Sequence, residues 1–127
     1  MTAELQTLAR RAVACEGWRW MPGMLARPIG GGFPLRYNNP QRGHDLPDDS
    51  GVRYIPDLTD PATRGCLLAL VREAWDRPML VAYYAPLSMG QGWYVADRFC
   101  GDRDYPVVEA PSGSEAEALV AALEAAP

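Results

Sequence analysis

His44 is the chain's single histidine, and it stands in Gly43-His44-Asp45-Leu46-Pro47-Asp48-Asp49. An imidazole beside three carboxylates is the pattern of a divalent-metal site, or of a base oriented by an aspartate. Either use requires a second ligand or a nucleophile, and the local sequence supplies neither. A solvated acidic loop accounts for the same residues. Ser50, Ser88, Ser112 and Ser114 lie in none of the hydrolase elbow patterns. Cys15, Cys66 and Cys100 form no CxxC and no Cys–His pair at metal-ligand spacing, and a partnership of Cys100 with His44 would rest on residue type alone. Gly30-Gly31-Gly32 lacks a following Gly-Lys-Ser/Thr and opens no helix, so it is not a phosphate loop. Gly90 to Trp93 reads as a turn entering a strand. The expectation is a chain without a catalytic set, a metal or a cofactor.

The residues better suited to chemistry are cations and rings. All twelve basic residues are arginine, yet the formal net charge is −4, which argues against a nucleic-acid-binding face. Trp18-Arg19-Trp20, Arg36-Tyr37, Arg53-Tyr54, Tyr83-Tyr84 and Trp93-Tyr94 place rings near guanidinium groups. In a strand, neighbours point to opposite faces, so Trp18 and Trp20 would share one face and Arg19 take the other. About half of each set belongs to the core, with Trp20, Trp75 and Trp93 as core candidates. Trp, Tyr and Arg otherwise dominate binding hot spots. The candidate binding residues are Trp18, Arg19, Arg36, Tyr37, Arg42, His44, Arg53, Tyr84 and Arg98. Rings stack on bases and guanidinium groups hold phosphates, so a nucleotide-type ligand matches them.

Three helices position these residues. Leu5, Leu8, Ala9, Ala12 and Val13 make one stripe of a helix from about Ala3 to Glu16, with Thr2 as its cap and Gly17 as its end. Asp60 caps a second helix with Pro61 at its first position; Cys66, Leu67, Leu70, Val71 and Ala74 face inward, and Arg77-Pro78 stops it. Ser114-Glu115-Ala116-Glu117 is a capping box for a third helix, whose stripe is Ala116, Leu119, Val120 and Leu123. Strands are predicted at Met79–Ala85, Trp93–Phe99 and Tyr105–Ala110, forming an antiparallel meander with a seven-residue loop after the first. Shorter strands are predicted at Trp18–Met21 and Val52–Ile55, where Pro22 and Pro56 favour edge positions. Leu25 to Gly51 reads as a long irregular loop, with a short strand around Phe33, Leu35 and Tyr37. Such loops are uncommon in compact domains and are often functional.

The fold class expected is α+β: a mostly antiparallel sheet, a meander, with three helices packed on it. The 127 residues suit one domain. The N-terminus has no apolar signal-peptide core, no apolar run approaches a membrane span, and the unpaired cysteines suit a reducing compartment. These features predict a cytoplasmic protein that makes no membrane contact.

Tyr54 to Thr63, Leu67 to Trp75, Gly92-Trp93-Tyr94 and Ser114 to Ala126 together resemble a recurring phage layout. It consists of a Pro-Asp helix start, a helix ending in Trp, an aromatic strand and a late Ser/Thr-Glu-Ala helix. The layout is similar to the phage domain described as an alpha-beta-alpha sandwich. Gly17-Trp18-Arg19-Trp20-Met21-Pro22-Gly23-Met24 also resembles a block in uncharacterised prophage proteins. The resemblance spans roughly half the chain, mainly from Tyr54 onward, and has no counterpart for the long loop. It implies a phage origin and a fold, with no activity attached. The function expected is then a non-enzymatic phage accessory protein in the cytoplasm of an infected bacterial host. It would antagonise host defence by sequestering a nucleotide-type immune signal or by occluding a defence protein. The alternatives are an enzyme using acidic residues or His44 of the long loop, and a virion assembly component. Edge strands make a homo-oligomer an expectation as well.

Overall fold

The computed structural model describes residues 1–38, 53–97 and 106–127. Its elements are α1 (Ala3–Val13), β1 (Leu25–Pro28), β2 (Leu35–Arg36), β3 (Tyr54–Pro56), α2 (Pro61–Trp75), β4 (Leu80–Leu87), β5 (Gly90–Asp97) and α3 (Glu115–Glu124). The α+β class and the antiparallel pairing are as expected. The strands divide between two small sheets, one ordered β2-β1-β3 and the other the hairpin β4-β5.

Each helix begins where a side chain can take an orphan amide. The Thr2 hydroxyl accepts from Leu5 N–H at 3.2 Å, the Asp60 carboxylate from Thr63 N–H at 3.0 Å, and the Ser114 hydroxyl from Glu117 N–H at 3.1 Å. The capping box closes one residue early, because the Glu117 carboxylate accepts from Gly113 N–H at 3.2 Å. Helix α1 stops at Val13, short of the expected Glu16. The chain must then turn so that Gly17 threads between α2 and α3, where a Cβ would lie 3.1 Å from Leu123 and 3.4 Å from Ala74. Helix α2 ends on Asp76 in the left-handed region (φ 52°), which a short polar residue tolerates better than most.

The core sits around α3, which packs against α1, α2, β4 and β5. Ala116, Ala118, Leu119, Val120, Ala122 and Leu123 are all buried, a wider apolar face than the four-residue stripe predicted. A helix covered on most sides loses its polar face. Leu67, Leu70 and Val71 of α2, Leu8, Ala9 and Ala12 of α1, Met24, Ile55, Leu58, Leu80 and Val95 complete the cluster. The Trp75 indole donates to Ala122 C=O at 2.8 Å, tying α2 to α3. Trp20, Trp75 and Trp93 all pack against the core, half-buried.

Several predicted elements differ. The β4–β5 connection is a two-residue turn, Ser88-Met89, because Leu87 pairs with Gly90; the supposed seven-residue loop is mostly strand. Residues 106–110 form no strand, and that segment meets β5 through Val107 N–H to Val95 C=O (2.9 Å) and an isolated bridge between Ser112 and Trp93. The approach is close: a Cβ on Gly92 would lie 2.7 Å from the Pro111 Cβ and 2.9 Å from the Ser112 carbonyl oxygen. Residues 18–21 are not a strand, since no described strand takes their backbone groups. The predicted loop from Leu25 instead opens as β1, the middle strand of its sheet. Pro28 is tolerated there because β2 pairs with Leu25 and Ala26 and does not extend past them, leaving Pro28 beside Tyr54 of β3 alone.

Candidate functional site

The arginines separate into two groups. Arg11 is bonded to Glu124 (2.5 Å), Arg19 to Glu73 (2.5 Å), Arg27 to Asp57 (2.5 Å), Arg36 to Asp60 (2.6 Å), and Arg77 to Asp97. Arg64 donates to the carbonyls of Leu58 (3.2 Å) and Thr59 (2.8 Å) and lies 3.8 Å from Glu115, while Arg72 Nε donates to Leu80 C=O at 2.8 Å. Among the described residues, the side chains of Arg10 and Arg53 have no hydrogen-bonding or ionic partner.

These two line one groove. Helix α1 packs on β3, and this contact brings the last turn of α1 against the residue that enters β3. The groove has a volume of about 590 Å³ and is lined by Arg10, Val13, Ala14, Trp20, Ile29, Arg53, Tyr54 and Ile55. Ile29 N–H donates to Arg53 C=O at 2.9 Å, which fixes the Arg53 backbone beside Ile29. Trp20 is held edge-to-face by Trp18, with centroids 5.5 Å apart and rings at 82°. None of the described lining residues is acidic. Arg10 also meets the negative end of the α1 dipole, a diffuse charge that leaves its guanidinium donors open.

A larger groove of about 780 Å³ lies between the N-terminal ends of α1 and α3. It is lined by Glu4 and Glu117, and the one cation among its described lining residues, Arg11, is bonded to Glu124. Its charge repels an anion. The α1–β3 groove combines free cations with rings, and its volume falls in the range of small-molecule sites, about 300–1,000 Å³.

Of the sequence-derived candidates, Arg53 lies in this groove, and Trp18 touches the groove's Trp20 edge-to-face. The Trp18 indole Nε1 is buried without a hydrogen-bond partner among the described residues. Arg19 and Arg36 are committed to carboxylates. Tyr37 is buried, with Tyr37 N–H bonded to Met24 C=O at 2.8 Å. Tyr84 is 56% exposed on β4, in edge contact with Trp93, away from the groove. Arg42, His44, Arg98 and Cys100 lie outside the described residues. Arg10 was not among the candidates. The signal for it was its place one turn before Val13, which the apolar stripe assigns to the core but which the structure leaves exposed on the groove wall.

The remaining polar chemistry is structural. Burial opposes the charge of Asp57, but hydrogen bonds from the Thr59 hydroxyl and from Arg27, together with the Thr59 amide, outweigh it and hold this carboxyl below the usual range. The Arg36 hydrogen bonds, with those from Thr63, lower Asp60 to about 2. Burial pushes the Cys15 and Cys66 thiols up, which removes thiolate character. Among the described residues, no group of three or more His, Cys, Asp or Glu is placed to hold a metal. No described helix is long and apolar enough to cross a membrane. No family model, curated protein or solved structure matches the chain.

Proposed function

We propose that this chain is a non-enzymatic binding protein whose α1–β3 groove holds a small anionic ligand carrying a planar ring. A nucleotide is the ligand class that fits. One observation carries the reading: Arg10 and Arg53, the two described arginines with no internal partner, line the same groove as Trp20 and Tyr54. A guanidinium without a carboxylate keeps its donors for a ligand, and charge-assisted bonds to phosphate are the strong kind. The indole and phenol offer faces for a base. The resemblance to phage proteins supplies a setting, in which sequestering a nucleotide-type immune signal would blunt a host defence.

A ligand that binds the native state alone raises the melting temperature. A panel of linear and cyclic nucleotides, with inorganic phosphate as the ring-free control, is expected to give a stabilising shift with at least one nucleotide and a smaller one with phosphate. That shift should disappear in Arg10→Ala/Arg53→Ala. Mass spectrometry of the released ligand should return it chemically unchanged, as sequestration requires. No shift with any nucleotide would end this reading, and a chemically altered ligand would replace it with an enzyme.

A further inference from the structure

The backbone of the β4–β5 hairpin leaves one edge open. Trp93 N–H donates to Ser112 C=O (2.9 Å), Ser112 N–H donates to Trp93 C=O (3.0 Å), and Val107 N–H donates to Val95 C=O (2.9 Å). Trp93 and Val95 therefore turn their main-chain groups away from β4. In an antiparallel pair these directions alternate. Given the register from Leu80↔Asp97 to Leu87↔Gly90, Val81, Tyr83, Ala85 and Leu87 bond to β5. Leu80, Ala82, Tyr84 and Pro86 point outward.

The four outward positions are not equivalent. Leu80 is engaged through both groups, its N–H with Arg77 C=O (3.4 Å) and its C=O with Arg72 Nε (2.8 Å). Pro86 has no N–H to offer. Ala82 and Tyr84 each keep an outward donor and acceptor that meet nothing among the described residues. Edges that avoid pairing commonly carry charge, and β4, Leu-Val-Ala-Tyr-Tyr-Ala-Pro-Leu, carries none.

We propose that this edge pairs antiparallel with β4 of a second copy of the chain, with Tyr83 on the two-fold axis, to form a continuous four-stranded sheet. The choice of a second copy follows from self-complementarity. Three registers bring outward positions opposite one another. Placing Ala82 opposite itself sets Tyr84 against Leu80, whose groups are already taken. Placing Tyr84 opposite itself sets Ala82 against Pro86, which cannot donate. Placing Ala82 opposite Tyr84 satisfies every open group on both strands, and it sets Pro86 against Leu80, where nothing further is needed. In this register the exposed Tyr84 ring lies beside Ala82 of the second copy, a cross-strand neighbour of the kind that stabilises a sheet.

Sedimentation of the unsubstituted chain should show a dimer. Tyr84→Pro removes an outward N–H and leaves the bonds to β5 in place, so it should sediment as a monomer with unchanged far-ultraviolet circular dichroism. Should that variant fail to fold, a cysteine pair decides the matter. Across the axis Tyr83 faces its own copy as a non-hydrogen-bonded pair, with Cα atoms about 4.5 Å apart, within the roughly 4.4–6.8 Å that a disulfide spans. With oxidised glutathione as oxidant, two Tyr83→Cys thiols lose two protons and two electrons and form one S–S bond between copies, while glutathione is reduced. Tyr83→Cys should run as a covalent dimer on a non-reducing gel, and Tyr84→Cys and the unsubstituted chain should not. A monomer at every concentration overturns the proposal. So does a dimer that survives in folded Tyr84→Pro, or crosslinking that is equal at positions 83 and 84. A monomer that captures an extended foreign peptide on this edge overturns it as well.

Discussion

Two regions of the molecule use arginine in opposite ways. At the junction of β1, β2 and α2, each guanidinium is bound to a carboxylate: Arg27 to the buried Asp57, and Arg36 to the helix-capping Asp60. Thr63 joins them, its hydroxyl accepting from Leu25 N–H at 2.9 Å and donating to Asp60 at 2.9 Å. In the α1–β3 groove, Arg10 and Arg53 have no carboxylate partner among the described residues, and the described walls are Trp20, Tyr54 and aliphatic carbon. The difference lies in what the fold places within reach. A paired guanidinium holds elements together, and an unpaired one keeps its donors uncommitted.

Breaking the junction should give the largest effect on stability. Asp57→Ala strips the acceptor from Arg27 and from the Thr59 amide and hydroxyl. Because Asp57 is buried while Arg27 is 41% exposed, the expected loss is about 2–3 kcal/mol, below that of a fully buried pair. Urea denaturation measures it. Thr63→Val keeps the shape and removes both hydroxyl bonds, for a loss of about 1–2 kcal/mol by the same measurement.

Acid should unlock the junction through Asp60 and Asp57. Both carboxyls are held below their usual value in the folded chain, Asp60 at about 2. A lowered folded-state pKa contributes stability that is complete above the unfolded value near 4 and is lost as pH falls toward the folded one. Melting temperature should therefore fall between about pH 4 and pH 2. Asp60→Asn keeps a good cap and should flatten part of that fall. An unchanged acid profile in Asp60→Asn would remove Asp60 from the account.

The smallest stability effects belong to the groove. Arg10→Ala and Arg53→Ala should each change unfolding free energy by no more than about 0.5 kcal/mol, as surface substitutions without partners do. The same variants should each weaken nucleotide binding roughly tenfold, the loss of one charge-assisted bond. A large stability loss in either variant would blur the contrast between the two regions.

The helices were legible because their signals are local. Thr2, Asp60-Pro61 and Ser114 mark starts that the side-chain caps confirm. Strand β1 was not legible. Leu-Ala-Arg-Pro carries no alternation, and the segment is a strand because β2 and β3 flank it. The Trp18–Met21 segment failed in the opposite sense, with strand-like residues and no strand to pair with. The sequence could show that arginines and rings were abundant. It could not show which arginines face carboxylates, because partners such as Arg19 and Glu73 are 54 residues apart and meet through tertiary packing. For this reason the sequence points to Arg19 and Arg36 although both are bonded to carboxylates, and it gives no mark to Arg10.

The proposed ligand site rests on Arg10 and Arg53 as the guanidinium groups with uncommitted donors. The arginine Nε–Hε signals of the protein, followed by nuclear magnetic resonance while a stabilising nucleotide is titrated in, test it most directly. The Arg10 and Arg53 signals should move together along one saturating curve, while those of Arg27 and Arg36 stay in place. Movement confined to the paired arginines, or no movement at Arg10 and Arg53 when the nucleotide binds, would contradict it.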